Sequence, residues 1–192
     1  SDKAVPETRI WSLLVQMLLG LHYLHNRRVL HRDMKTANVF LTTTAEGRLR
    51  VKIGDLGVAK LLGTGKAFAE TVVGTPYYLS PELVQDQPYN GQSDMWALGV
   101  IVYECCTLRR PFEAGNQCAL ILKIIRGAFD PVPSENASSE LRDIAHQLLR
   151  LDPRQRPSAR KLLSSPAVQR EVLRLGFELP ADIRPFSITE AV

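Results

Sequence analysis

A long amphipathic pattern begins the chain. Apolar residues recur there at three- and four-residue spacing, which places side chains on one face of a helix; they are Ile10, Leu13, Leu14, Met17, Leu18, Leu21 and Leu24. This spacing predicts a helix from about Pro6 to about His25. Two short β-prone runs follow, from Val39 to Thr42 and from Leu49 to Ile53, and the polar stretch between them is typical of a hairpin turn.

The second half of the sequence predicts further helices. From Ser93, a possible helix cap, the apolar residues point in nearly all directions, which indicates a helix that is buried on most sides. Helices are also predicted over about 116–126 and 139–150, from a cap at Ser158, and briefly around 169–175 before an irregular tail. Residues 54–90 lack periodicity, so the sequence predicts a long functional loop there. The fold class expected is mainly α with a small β-hairpin.

Composition and charge narrow the class of protein. The 192 residues are 45% hydrophobic and 23% charged, which is typical of a folded domain. Lys and Arg (24) exceed Asp and Glu (20) only slightly and are scattered, so we expect neither nucleic acid nor membrane as a partner. No apolar run is long enough to span a bilayer, and Cys105, Cys106 and Cys118 form no disulfide framework or metal motif. We therefore expect a cytoplasmic protein.

Three short motifs carry the chemistry. Residues 31–38 read HRDMKTAN, between the first helix and the first strand, and fit the pattern H-R-D-x-x-x-x-N. Residues 55–57 read DLG directly after the second strand, and residues 80–82 read SPE. In order and spacing these motifs resemble the catalytic loop, D-F-G and A-P-E motifs of the eukaryotic protein kinases. Leu56 replaces the usual phenylalanine, but both are apolar, so the change does not imply inactivity.

The resemblance extends over residues 1–165 and is to the C-terminal lobe of those kinases. Residues 38–41 (NVFL) and 73–82 (VGTPYYLSPE) are similar to the NIMA-related serine/threonine kinases. The resemblance implies a transferase that moves the γ-phosphate of MgATP to serine or threonine hydroxyls of proteins. It also implies an activation segment over residues 55–82, and it leaves residues 166–192 as a C-terminal extension.

The family resemblance assigns roles to individual residues. Asp33 would orient the substrate hydroxyl and accept its proton, and Lys35 would neutralise the phosphoryl group in transfer. Thr75 would link the activation segment to these two residues, and both Lys35 and Thr75 indicate a serine/threonine kinase. Asn38 and Asp55 offer the hard oxygen ligands that Mg²⁺ prefers.

The same resemblance places Phe40 under the adenine ring of ATP. A pocket needs an apolar floor, although simple core packing is the alternative interpretation of this residue. Lys35, Asn38 and Asp55 would complete the nucleotide site from the phosphate side. The cofactors implied are thus ATP and Mg²⁺.

Regulation is suggested by two cations and one hydroxyl. Arg32 stands beside the proposed base, and Lys60 follows five residues after Asp55, so together they could bind a phosphate. Thr71, four residues before Thr75, is the predicted phosphorylation site, since its phosphate could pair with both cations and order the loop.

Other residues that match the family pattern are expected to stabilise the fold rather than to take part in the reaction. Glu82 and Arg156 resemble a buried ion pair of the family, and Asp94 should accept hydrogen bonds from the backbone of the catalytic loop. His22 and His25 share a helix face, but without a nearby third ligand packing and solvent contacts are favoured over a zinc site.

The sequence lacks the motifs of the N-terminal lobe of a protein kinase. No glycine-rich loop or V-A-I-K-type lysine precedes the first helix, so we expect the N-terminal β-lobe to be absent and the isolated chain to be inactive.

The alternative function is a catalytically inactive, pseudokinase-like fragment that docks partners. Retention of Asp33, Lys35, Asn38 and Asp55 argues against it, since scaffolding does not require all four. Resemblance alone suggests cytoskeletal, centrosomal or ciliary partners and locations.

Overall fold

The computed structural model describes residues 5–55 and 76–185. Its helices and strands occur in the order α1 (Glu7–Asn26), β1 (Val39–Thr43), β2 (Leu49–Ile53), α2 (Pro81–Val84), α3 (Gly91–Thr107), α4 (Gln117–Arg126), α5 (Ser139–Leu148), α6 (Ala159–Leu163) and α7 (Pro166–Arg174). Two 3₁₀ turns, Thr36–Asn38 and Pro153–Gln155, precede β1 and α6. The prediction of a mainly helical chain with a small hairpin is confirmed.

Helix α3 is the central element of the core. It packs against α1 on one side and α5 on another, and residues 93–103 along it are all buried. Gly99 permits the close contact with α5, because a Cβ at this position would lie 2.7 Å from the Cβ of Leu148 and 3.2 Å from its carbonyl carbon. The sequence prediction of a helix buried on most sides is therefore confirmed.

The start of α3 differs from the prediction. Asn90, not Ser93, is the N-cap, and its side chain accepts a hydrogen bond from the backbone N–H of Gln92 at 2.8 Å. Ser93 lies one turn inside the helix, where its hydroxyl accepts from the backbone N–H of Asn90 and donates to Glu82 Oε1 at 2.7 Å. Both residues are good caps by composition, and the reciprocal bonds of a capping box decide which one begins the helix.

One side chain of α1 hydrogen-bonds the hairpin, in addition to the packing of Val51 and Ile53 against the core. Strands β1 and β2 pair antiparallel, with Val39 opposite Ile53 and Leu41 opposite Val51. On the outer edge of β2, the Gln16 amide nitrogen donates to Leu49 O at 3.2 Å, and its oxygen accepts from the backbone N–H of Val51 at 2.9 Å. Gln16 thus provides the bonds that a further strand would have made, which fixes the hairpin to the helix.

The residues after α6 belong to the same core. Val168 and Val172 of α7 and Ile183 beyond it are almost completely buried. His22 on α1 lies 3.0 Å from Asp182 Oδ1, and the Arg160 guanidinium donates to Asp182 O at 3.1 Å. The short helix predicted near residues 169–175 is present but begins at Pro166, and the segment after it folds back along α1.

No helix in the described parts of the chain is both long and apolar enough to cross a bilayer.

Candidate active site

The catalytic-loop motif places three predicted site residues in contact. Asp33 Oδ2 accepts a hydrogen bond from Lys35 Nζ at 2.6 Å and another from Asn38 Nδ2 at 2.8 Å. Asn38 Nδ2 also donates to the backbone oxygen of Asp33 at 2.8 Å. The side chains of Asp33 and Lys35 remain about one third exposed. One carboxylate oxygen is therefore held by two donors at a surface that a second molecule can reach.

Gly54 joins the end of β2 to this loop. Its N–H donates to Asn38 O at 2.9 Å, and its carbonyl oxygen lies 3.0 Å from His31 Nε2. Because Asp55 is the next residue, these two bonds bring the last predicted ligand to the edge of the Asp33 cluster. Asp55 is exposed and has a φ of 58°, a left-handed conformation that non-glycine residues adopt at a cost.

Asp94 holds the catalytic loop from beneath. Its fully buried carboxylate accepts the backbone N–H groups of His31 and Arg32, each at 3.1 Å. His25 Nε2 lies 2.8 Å from the same carboxylate, and the Tyr89 hydroxyl also donates to it. The prediction that Asp94 binds the loop backbone is confirmed, and the contact with His25 shows that this histidine positions an aspartate.

Tyr89 stays protonated in this setting. Burial disfavours the phenolate and the neighbouring Asp94 carboxylate repels it, so the pKa of Tyr89 is raised well above its ordinary value. A protonated hydroxyl can only remain a donor toward Asp94, which keeps the four-donor arrangement intact at physiological pH. No local sequence pattern predicts this role, since a tyrosine near a helix start is common.

Arg32 occupies an unusual position in the loop. Its φ is 68°, its guanidinium lies 5.8 Å from the centre of the Tyr89 ring, and its Nε is buried with no hydrogen-bond partner in the described chain. A buried donor without a partner costs about 1 to 3 kcal/mol. Arg32 is therefore strained in its backbone, and its Nε is unsatisfied by the described residues.

Tyr78 connects the loop to the end of α3. Its hydroxyl donates to Glu104 Oε2 at 2.8 Å and lies 2.9 Å from Thr36 Oγ1. Glu104 also pairs with Arg110 at 3.3 Å, and the Arg110 guanidinium stacks 3.7 Å above the Tyr77 ring. Burial is the main reason why the pKa values of both Tyr78 and Glu104 are raised. Sequence reasoning missed this link, since these residues are far apart in the chain.

Phe40 lies outside the core. Its side chain is 55% exposed, and its ring packs over Gly54, where an added Cβ would be 2.4 Å from Phe40 Cε2. Core packing, the alternative interpretation of this residue, does not fit that exposure. The ring forms an apolar surface at the point where β1, β2 and the Asp33 cluster meet.

Three of the predicted site residues lie outside the residues that the structure describes. Lys60, Thr71 and Thr75 belong to residues 56–75, as does Leu56 of the DLG motif. Their predicted roles remain expectations from the sequence.

The side-chain oxygens of Asn38 and Asp55 are suitable ligands for Mg²⁺ bound together with a nucleotide. The two hydrogen bonds that the Asn38 side chain forms with other described residues both use its nitrogen, so its oxygen can offer its lone pairs to a metal ion. Within residues 5–55 and 76–185, no group of three His, Cys, Asp or Glu side chains could hold a metal. Mg²⁺ is commonly bound by one or two protein oxygens together with substrate phosphates and water, which is what Asn38 and Asp55 can offer.

The ion pair between Glu82 and Arg156 secures the segment that follows the site. Two bonds of 2.7 Å join the carboxylate to the guanidinium, and both side chains are almost fully buried. Arg156 also donates to the backbone oxygens of Arg150, Leu151 and Gln92. The predicted pair is confirmed, and it connects α2 with α3 and with the turn before α6.

Comparison with known proteins agrees with this geometry. The sequence model of the protein kinase domain matches residues 1–168, so the chain belongs to the protein kinase family. Relatives include serine/threonine-protein kinase Nek1 of Mus musculus (45% identical over 166 residues, 86% of this chain and 13% of the relative). Nek3 of Mus musculus is 47% identical over 161 residues (84% and 30%), and Nek8 of Danio rerio is 46% identical over 174 residues (91% and 24%).

The resemblance to the NIMA-related kinases is thereby confirmed. The chain spans less than a third of each of these relatives.

We predict that Glu82→Gln destabilises the fold by about 3 to 5 kcal/mol near neutral pH, because it leaves the Arg156 charge buried without its partner. Burial alone would raise the pKa of Glu82, but the bonds from Arg156 and Ser93 outweigh it and lower the pKa. A lowered folded-state pKa gives stability that is present above the unfolded-state pKa and is lost as the pH falls through the folded-state pKa. The difference between the two proteins should therefore shrink in acid.

Urea denaturation at several pH values measures this difference. The matched control is Glu140→Gln, which breaks the exposed pair with Arg170 and should cost no more than about 1 kcal/mol. Equal losses for the buried and the exposed substitution would contradict the assignment.

Proposed function

We propose that the protein containing this chain is a serine/threonine protein kinase that transfers the γ-phosphate of MgATP to protein hydroxyls, and that the chain forms its C-terminal lobe. One observation carries the proposal. The Asp33 carboxylate is held by Lys35 and Asn38 at an accessible surface, and Gly54 brings Asp55 beside them.

Asp33 would act as the general base. Its Oδ2 is occupied by two donors, which fixes the orientation of the carboxylate toward a hydroxyl that approaches from outside. Such a group orients the nucleophile and accepts its proton, a contribution of about 10² to 10⁴ in rate. Lys35 lies next to this base with an ammonium that could also neutralise a phosphoryl oxygen during transfer.

Asn38 and Asp55 would hold Mg²⁺ through one amide oxygen and one carboxylate. The bound ion would neutralise the charge on the phosphate oxygens of ATP. The half-exposed Phe40 ring, beside Gly54, would lie under the adenine base and exclude water from that side. The described chain supplies only one side of such a nucleotide site, so an N-terminal lobe would be needed to enclose ATP.

Phosphorylation of Thr71 would regulate this site. The proposal is supported by Arg32, whose buried Nε has no partner among residues 5–55 and 76–185 and whose backbone is strained, as expected for a group that binds an anion. A phosphate on Thr71 could pair with Arg32 and Lys60, and Thr75 would then join the ordered segment to Asp33 and Lys35. The protein would thus act on Ser or Thr of protein substrates after its own activation.

Asp33→Asn should abolish phosphoryl transfer, because an amide cannot accept the proton of the attacking hydroxyl. The assay uses radiolabelled ATP with the chain extended through an N-terminal lobe, and the unextended chain should be inactive. The control Asp130→Asn removes an exposed carboxylate that is not part of the proposed site and should leave the rate unchanged. Activity that survives Asp33→Asn would refute the catalytic role, and inactivity of the unsubstituted extended protein would favour a docking function.

Thr71→Ala should lower the activity of the extended enzyme, and Arg32→Ala in the same background should cause little further loss. The reason is that the phosphate and the arginine act through one contact, so their effects are not additive. Mass spectrometry of the active enzyme checks whether Thr71 carries phosphate. Unchanged activity of Thr71→Ala, or fully additive losses, would remove this residue from the mechanism.

A further inference from the structure

A second concave surface lies on the far side of the hairpin turn from the Asp33 cluster. An open groove of about 810 Å³ runs between α1, the β1–β2 turn and the end of α7, and we call it the hairpin groove. Its lining includes Glu46, Arg48, Leu49, Arg50, Leu173 and Phe177. None of the proposed catalytic, nucleotide-binding or regulatory residues contributes to this lining.

Positive charge dominates the walls of the hairpin groove. Arg48 and Arg50 stand on the hairpin wall and Arg174 on the opposite wall, while Glu46 is the acidic residue of the lining. Arg174 is bound by Glu171 at 2.7 Å, but neither Arg48 nor Arg50 forms a salt bridge with another described residue. The Thr44 side chain and, more weakly, Arg50 lower the pKa of Glu46, so this carboxylate is already engaged within the turn. Two guanidinium groups therefore remain for a partner.

Apolar surface accompanies this charge. Leu173 is 72% exposed at the rim, and Leu49 and Phe177 are half-buried deeper in the walls. The two walls approach closely, since Arg48 Nη1 lies 3.8 Å from the position that a Cβ on Gly176 would occupy. A ligand that fits the hairpin groove must therefore combine negative charge with an apolar side chain.

The hairpin groove favours a peptide that is bound through its side chains. Gln16 already bonds the free backbone groups of Leu49 and Val51, so a partner cannot add a strand at this edge. The available positive charge belongs to two separate guanidinium groups, and Glu46 lies in the same lining, which suits separate carboxylates better than one compact phosphate. The concave shape also differs from the flat basic face that a membrane surface would require.

We propose that the hairpin groove docks a short acidic segment of a protein partner, in which carboxylates on either side of an apolar residue pair with Arg48 and Arg50 while the apolar side chain packs on Leu173 and Phe177. This docking site is independent of phosphoryl transfer, and it would exist in an inactive chain as well.

A peptide selection identifies such segments. A random peptide library displayed on phage is selected on the full 192-residue chain and counter-selected on the charge-reversed variant Arg48→Glu/Arg50→Glu. We expect the enriched peptides to share acidic residues that flank an apolar one. Enrichment of sequences without acidic residues, or no enrichment over the counter-selected variant, would overturn the proposal.

Fluorescence anisotropy of a selected, labelled peptide then tests the site. Arg48→Glu/Arg50→Glu should weaken binding by about tenfold or more, and Leu173→Ala by about threefold, because one removes the paired charges and the other the apolar contact. The control Arg126→Glu/Lys161→Glu makes the same change in net charge at exposed residues outside the hairpin groove and should alter binding by less than about twofold. Thermal unfolding verifies that all variants remain folded.

The competing ligands are measured in the same assay. Inorganic phosphate, a phosphoserine peptide without acidic residues and phosphatidylserine vesicles should compete poorly with the acidic peptide. Tighter binding of any of these through Arg48 and Arg50, or equal weakening by the control substitutions, would contradict an acidic protein segment as the occupant.

Discussion

The buried carboxylate of Asp94 is the contact on which the candidate site depends. It is completely shielded from water and receives the backbone N–H groups of His31 and Arg32, so it fixes the main chain immediately before Asp33. A buried carboxylate is tolerated only when donors surround it, and here His25 and Tyr89 complete the set. Asp94 lies in the first turn of α3. This buried helix therefore sets the position of the catalytic loop.

Gly54 gives the site its second attachment. Its contacts with Asn38 and His31 join the end of β2 to the catalytic loop, so Asp33 and Asp55 are carried by segments that are bonded to each other. Gln16 holds the same hairpin on α1. Arg32 and Asp55, where this framework meets the site, both have positive φ values, a conformation that non-glycine residues adopt at a cost.

The sequence predicted much of this arrangement, for physical reasons that differ between elements. Helix α1 was predictable because its apolar residues repeat at helical spacing, and the contact of Asp33, Lys35 and Asn38 was predictable because all three lie in one eight-residue motif. The start of α3 was mispredicted because Asn90 and Ser93 are equally suitable caps until their reciprocal bonds are seen. The contacts of His25, Tyr78 and Gln16 join distant parts of the chain, and no local pattern encodes them.

Hydrogen exchange in an Asp94→Asn variant tests the central claim most directly. His31 and Arg32 donate to different oxygens of Asp94. The asparagine amide keeps one oxygen and puts an NH₂ group in place of the other, so at least one of these two backbone N–H groups loses its acceptor and should lose protection selectively. Amides within α4 and α5, away from this carboxylate, should keep theirs. Exchange at His31 and Arg32 that stays as slow as in the unsubstituted chain, or that rises only in step with every other amide, would contradict the account.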